Sequence, residues 1–287
     1  RAGELMRYGL LASSNNIVGY VRNQLPTFIL SRSLGPAGVG LYNKAESLAA
    51  RPHGFITGSV YEVLFRALAK EHDDLDKSRY LFFRSLTLVL VYALPFYVGF
   101  AWVAEPLVVL LFGHRWADSA APLVILSLAA PFMIVENLSG AVLAARNWLG
   151  RELVAQILMI GIAGTGIILG LPHGMEGVAA GMAIALLYMS VHMFWLARRC
   201  LQARWRDLGR AFVPALLLNG ILAATLWLVD ASLPAALRAN GPLYVILMAA
   251  AGGLVYALGF LYLPIPALAS ESARWKTKLR LSPSTAA

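Results

Sequence analysis

The chain is a succession of apolar segments, most of them long enough to cross a lipid bilayer as a helix. A spanning α-helix needs about 20 mostly apolar residues, because each residue adds about 1.5 Å across a hydrocarbon core about 30 Å thick. We place candidate helices at 8–30, 41–68, 80–103, 118–145, 152–171, 174–197, 210–229 and 242–263. The sequence therefore predicts an all-α fold, a polytopic membrane bundle of about eight transmembrane helices.

Composition argues against a soluble domain. Hydrophobic residues make up 59% of the 287 residues and charged residues 14%, whereas soluble domains are about 45–50% apolar and about 25% charged. The net charge of +9 is then better explained by basic loops beside anionic lipid headgroups than by nucleic-acid binding.

The basic residues are distributed unequally between the two predicted sides. Most of the 24 lysines and arginines fall on the side that holds both termini. The other side holds only Arg32, Lys44, Arg115 and Arg238. By the positive-inside rule, both ends of the chain are predicted to be cytoplasmic.

The connections suggest how the chain is divided. The longest basic connection, 198–210, separates six helices from two. We predict units at 1–200 and 201–269, followed by a disordered cytoplasmic tail at 270–287. The apolar run 106–112, between the third and fourth helices, either extends the third helix or forms a short re-entrant piece.

The first two helices are unusually polar, and their polar residues form stripes. At 100° per residue, one narrow face of the first helix holds Asn15, Gly19, Arg22 and Pro26, with Asn16 and Asn23 at its margin. A sector of about 80° on the second helix holds Lys44, Ser47, Arg51, Gly54, Gly58 and Glu62.

These stripes have two interpretations, because an arginine at the bilayer centre costs about 2.5–3.5 kcal/mol on insertion scales and should face protein or water. In one, they line a water-filled cavity that attracts an anionic substrate. Its binding residues would be Asn15, Asn16, Arg22, Asn23, Lys44, Ser47 and Arg51. In the other, the arginines snorkel to the interface or form internal ion pairs, for example Arg51 with Glu46 or Glu62. The continuity of the stripes favours the cavity.

Two carboxylates are candidates for ion coupling, Glu62 on the second helix and Glu136 on the fourth. A carboxylate within the membrane can carry a proton in a coupled transporter. Glu136 and its neighbour Asn137 can equally hydrogen-bond an adjacent helix, and we favour this second role for them.

The sequence carries no recognisable catalytic or metal-binding motif. It lacks G-x-x-x-x-G-K-[ST], G-x-S-x-G and H-E-x-x-H. The single cysteine, Cys200, cannot form an internal disulfide, and no Cys/His cluster has metal-ligand spacing. Since the loops are also too short for a soluble active site, we predict a transporter without cofactor or metal rather than an enzyme.

Three stretches carry a family resemblance. Residues 34–45 read LGPAGVGLYNKA, 63–74 read VLFRALAKEHDD, and 106–116 read PLVVLLFGHRW. The first stretch resembles a family connection between two helices, with Leu-Gly followed by Gly-x-Tyr-x-x-Ala. The second resembles the end of the following helix in that family. The third resembles the family's apolar run that ends in Leu-Phe-Gly-x-x-Trp. In order and spacing across 5–200, the chain resembles the polysaccharide and oligosaccharide flippases of the multidrug/oligosaccharidyl-lipid/polysaccharide exporter superfamily.

The resemblance implies export of an oligosaccharide carried on an undecaprenyl diphosphate-type lipid across the cell inner membrane, for cell-surface polysaccharide synthesis. Members of this family have two six-helix lobes, and some have two extra helices. Residues 1–200 would then be the second lobe and 201–269 the extra pair, with a missing N-terminal lobe as partner in alternating access. Membrane lipids and polysaccharide polymerase machinery are the other expected partners, and we expect this chain alone not to transport.

Three alternatives remain open at this stage. A multidrug antiporter of the same superfamily would favour carboxylates in its cavity, to bind cationic drugs. A membrane polysaccharide polymerase or ligase would carry a large external loop, whereas the outer loops predicted here are short. A purely structural membrane subunit is the third, and the polar stripes argue against it.

Overall fold

Eight long helical units run back and forth across the bundle in the computed structural model, which describes residues 2–71 and 73–281. The first is α1 (Ala2–Ser33), and the second joins α2 (Gly35–Pro52), a π-helical turn (His53–Thr57) and α3 (Gly58–Lys70). The other six are α4 (Leu75–Trp102), α6 (Ala120–Ala145), α7 (Leu149–Gly170), α8 (Gly174–Leu201), α9 (Trp205–Ser232) and α11 (Gly241–Tyr262). Each matches one predicted helix, and most extend a few residues further.

Length and apolarity identify most of these units as membrane spans. Five continuous stretches of the described chain qualify: Leu75–Trp102, His114–Ala145, Leu149–Leu201, Trp205–Ser232 and Gly241–Tyr262. Leu149–Leu201 contains both α7 and α8, so these stretches account for six of the predicted helices. The first two units are long enough but too polar to qualify, as expected from their stripes. The chain is a helical membrane bundle.

Two tight reversals depend on glycine. Gly35, between α1 and α2, has φ +68°, and Gly174, where the short turn Leu171–His173 gives way to α8, has φ +65°. A residue with a Cβ is strained in this left-handed region. The glycines therefore allow consecutive helices to turn back on each other almost without a loop.

The helix α6 lies at the centre of the packing. It contacts α2, α3, α4 and α8, while α7 packs between α8 and α1. Phe82, Leu138 and Phe194, from α4, α6 and α8, are fully buried in the largest apolar core. On the other side of α4, α9 packs against α4 and α11.

The apolar run 106–112 forms a helix of its own, α5 (Ala104–Phe112), and so is not a continuous extension of the third predicted helix. Val103, at φ −106° and ψ 28°, interrupts the helical path after α4. Ala104 and Val108 are buried in an apolar cluster that includes Leu123 and Leu126 of α6. The short α10 (Ala235–Ala239) lies in the connection before α11.

The predicted disorder from Ser270 is wrong for the first part of the tail. Residues Ala269–Lys278 form the helix α12. Arg84 on α4 holds its start, donating hydrogen bonds to the Ala267 carbonyl and to Ser270 Oγ. The Trp275 indole N–H donates to Tyr92 Oη at 3.0 Å. These tertiary bonds order a segment too polar to be recognised from hydropathy, and the predicted tail beyond 281 lies outside the described residues.

Candidate functional site

The polar stripe of the second unit lies on the outside of the bundle. Ser47, Arg51, Gly54, Gly58 and Glu62 are all exposed. Around the helix, the buried residues Tyr42, Ala45 and Ala49 face the core instead. Because this unit packs within a helical membrane bundle, lipid would be an unfavourable environment for the charges along its stripe. This face is suited to water or to another protein surface.

Arg51 is the central charge of this exposed stripe. It forms no hydrogen bond or salt bridge with any residue that the structure describes, and neither Glu46 nor Glu62 pairs with it. Glu62 instead lies 3.6 Å from Arg66 Nη2, and both of those side chains are well exposed. The internal ion pair considered for Arg51 therefore does not form, and its guanidinium keeps its donors free.

The backbone beside Arg51 departs from regular α-helix. Pro52 has no N–H to donate, and the next five residues, His53–Thr57, widen into a π-helical turn. Such turns are frequent at functional sites. A Cβ at Gly54 or Gly58 would meet no atom within 4 Å, so there is open space next to the guanidinium.

Lys44, at the start of the same stripe, is placed differently. Its Nζ lies 4.7 Å from the ring centre of Phe112 and 5.2 Å from that of Trp116. These contacts hold the ammonium against Phe112, the last residue of α5, and against Trp116 just beyond it, through cation–π attraction. Lys44 thus stands near one end of the bundle.

The stripe of the first helix faces inward, unlike that of the second. Asn15 is buried, and its Nδ2 donates to the Leu149 carbonyl at 3.0 Å. Its Oδ1 accepts from Gln156 Nε2 at 3.1 Å. These bonds join α1 to α7, so Asn15 is engaged inside the bundle, whereas Asn16 and Asn23, at the margin of the stripe, are exposed.

Arg22 forms the internal ion pair that was one of the two interpretations. Its Nη1 lies 2.5 Å from Glu136 Oε1, linking α1 to α6. The two side chains are 17% and 13% exposed, so the pair stands at the boundary between the core and the open face. Arg22 Nε also donates to the exposed Asn23 at 3.2 Å.

Glu152 and Gln156, on α7, extend this polar cluster and were not predicted. Gln156 Nε2 bridges Asn15 and Glu152, with its contact to Glu152 Oε1 at 3.3 Å. Both residues lie in the first half of α7, whose sequence we interpreted only as an apolar membrane helix. Their separation of four residues places them on one face, and that spacing was the available signal. Within residues 2–71 and 73–281, no group of His, Cys, Asp and Glu is placed to hold a metal ion.

A second feature is an apolar cavity of about 490 Å³ between α4, α9 and α11. Its lining includes Phe96, Gly99, Leu222, Met248 and Gly253. It is large enough for part of a hydrocarbon chain, and its walls offer almost no hydrogen-bonding groups.

Comparison with known proteins points to polysaccharide biosynthesis. A family model described as "Polysaccharide biosynthesis protein" matches residues 1–121. The lipopolysaccharide biosynthesis protein WzxC of Escherichia coli (strain K12) is 31% identical over 141 residues, which are 49% of this chain and 29% of that protein. The succinoglycan biosynthesis transport protein ExoT of Rhizobium meliloti (strain 1021) is 27% identical over 125 residues, 44% of this chain and 25% of that protein.

The fold is similar to that of a solved lipid II flippase, MurJ, in an inward closed conformation. The TM-score is 0.68 at 15% sequence identity, over 93% of this chain and 53% of the MurJ chain. The chain thus spans about half the length of that structure and matches less than a third of each curated relative. The predicted family resemblance is confirmed, since the chain is similar in sequence to polysaccharide biosynthesis proteins over about half of its length and similar in fold to a lipid II flippase over most of it.

Proposed function

We propose that the chain forms one half of a transporter that moves a lipid-linked oligosaccharide across the inner membrane, with Arg51 binding its anionic headgroup. The observation that carries this proposal is the free, exposed guanidinium of Arg51 on a polar stripe of a membrane bundle. A diphosphate supplies the acceptors that Arg51 lacks, since arginine binds phosphate oxygens in bidentate geometry. The named transport role of ExoT favours this function over that of a membrane enzyme.

The stripe requires a partner surface. A chain half as long as a structurally similar flippase leaves room for a second lobe opposite α1 and α2–α3. Rocking of the two lobes would open the polar face alternately to each side of the membrane. The 287-residue chain alone is then expected not to transport, and the basic end of the bundle is assigned to the cytoplasm.

Glu136 is better placed than Glu62 for ion coupling. A headgroup phosphate that reaches Arg22 would compete with Glu136 for the same guanidinium, and the released carboxylate would be free to take a proton. Glu62 is exposed and already lies beside Arg66, so substrate at Arg22 would not change its pairing.

Charge reversal at Arg51 tests the proposal. In the full-length protein, Arg51→Glu is expected to fold normally and to lower surface polysaccharide at least tenfold. The loss of a charge-assisted hydrogen bond costs about 1.5–3 kcal/mol, and about 1.4 kcal/mol corresponds to a factor of ten. Arg51→Lys, which keeps the charge, should retain more export than Arg51→Glu.

Lys70→Glu is the matched control, since Lys70 is an exposed base at the end of the same helical unit. It should export normally. Normal export by a well-expressed Arg51→Glu variant would refute the proposed role of Arg51.

The apolar cavity is a candidate site for part of the lipid tail, and filling it tests that role. A Cβ at Gly253 would meet no atom within 4 Å, so Gly253→Leu should occupy the cavity without disturbing the helices. If it displaces about two methylene groups of the tail, at about 0.8 kcal/mol each, export should fall roughly tenfold. Gly220→Leu, at an equally uncrowded site on α9 outside the cavity, should leave surface polysaccharide unchanged. Equal export by the two variants would exclude the cavity as a tail site.

A further inference from the structure

A second, polar cavity of about 740 Å³ lies at the basic end of the bundle, between α4, α9 and the segment that leads into α12. Three arginines line it: Arg79 and Arg84 from α4, and Arg210 from α9. We propose that this cavity binds the phosphate of an anionic phospholipid headgroup, at a site separate from the transport face.

The carboxylates in the cavity are already engaged. Asp76 accepts from Arg79 Nη2 at 2.5 Å, and Asp207 accepts from the Arg204 backbone N–H at 2.9 Å. Neither acid pairs with Arg210, which is exposed and has no hydrogen bond or salt bridge with any described residue. The cavity therefore presents a free guanidinium whose donors lack an acceptor.

The other two arginines add positive charge to the same lining, although they already have protein partners. Arg84 Nη2 lies 2.8 Å from Ser270 Oγ and 3.5 Å from Glu271 Oε1, so this carboxylate takes only a long contact. Arg79 is paired with Asp76 through Nη2. The charges of Arg79 and Arg84 are partly balanced by Asp76 and Glu271, which leaves Arg210 as the guanidinium that a phosphate oxygen would meet. Basic pockets near membrane helices bind lipid headgroups in this way.

The surroundings favour a lipid over a soluble anion. Val213 and Leu217 follow Arg210 by three and seven residues, which places them on its face of α9. They are 49% and 54% exposed, so acyl chains can lie along them while the headgroup stays at Arg210. Tyr80 and Phe83 add an aromatic wall to the cavity. A free phosphate would make no use of these apolar contacts.

Lipid titration of the purified full-length protein tests the site. Binding would be measured by native mass spectrometry, and stability by the thermal unfolding midpoint. Phosphatidylglycerol, phosphatidylcholine and inorganic phosphate would be added as separate ligands. Phosphatidylglycerol is expected to bind and stabilise, and the other two to have little effect. Arg210→Gln should weaken phosphatidylglycerol binding about fivefold, as expected for one basic residue near an anionic lipid surface.

The matched control is Arg206→Gln, since Arg206 is exposed about one turn earlier on α9 but outside the cavity. It should weaken binding less than about twofold, because it removes only general surface charge. Equal weakening by the two variants would overturn the proposal in favour of non-specific attraction. If inorganic phosphate raised the unfolding midpoint as much as phosphatidylglycerol does, the proposal that the ligand is a lipid would be wrong. Neither Arg206 nor Arg210 pairs through its side chain with a residue that the structure describes, so the midpoints of both variants without lipid should match that of the wild type.

Discussion

Arg22→Gln is expected to destabilise the protein by about 3 kcal/mol, because it leaves Glu136 buried without its partner. Removing one partner of a buried ion pair costs about 3–5 kcal/mol of stability. Because these two side chains are partly exposed, we expect a loss at the lower end of that range. Arg32→Gln is the control on the same helix, since Arg32 lies over the Phe28 ring and pairs with no described acid. The free energy of unfolding in detergent should change by less than about 0.5 kcal/mol in that variant.

The double variant Arg22→Gln with Glu136→Gln separates a structural role from substrate binding. Removing both charges should restore most of the stability, because no isolated charge remains. If Arg22 also binds the headgroup, surface polysaccharide should stay low although the protein is folded. Export at the wild-type level in the double variant would show that Arg22 is only a link between α1 and α6.

Gly177→Ala is expected to force α7 and α8 apart. A Cβ at Gly177 would lie 2.1 Å from the Gly170 carbonyl oxygen, and a Cβ at Gly170 would lie equally close to the Gly177 carbonyl. The clash is with backbone, so no side-chain rotation can relieve it. We expect a loss of about 3 kcal/mol, the upper end of the usual range for overpacked sites, measured as the free energy of unfolding in detergent.

Gly161→Ala is the matched control on α7. Its Cβ would meet nothing within 4 Å, so the change should be neutral or should stabilise by at most about 1 kcal/mol through helix propensity. A Gly177→Ala protein as stable as the wild type would contradict the backbone contact between α7 and α8.

Hydropathy and helical periodicity determined the class of this fold. A continuous apolar stretch of about 20 residues has one low-energy state in a bilayer, a helix with all its backbone hydrogen bonds internal. Six predicted helices accordingly reappear as membrane-long apolar helices. The same reasoning failed at α12, because its order depends on Arg84 and Tyr92, which are distant in sequence.

The orientation of the stripes could only be decided by tertiary structure. Periodicity shows that Asn15 and Arg22 share a face, as Ser47 and Arg51 do, but an isolated helix does not reveal which neighbour that face meets. Packing of α1 against α7 turned Asn15 inward, onto Leu149 and Gln156. Packing of α2 on its opposite, apolar face left Arg51 exposed. Arg22 thus acquired an internal partner in Glu136, whereas Arg51, in a similar sequence setting, was left exposed and pairs with no described residue. The physical environment of a charge is set by the helices that surround it.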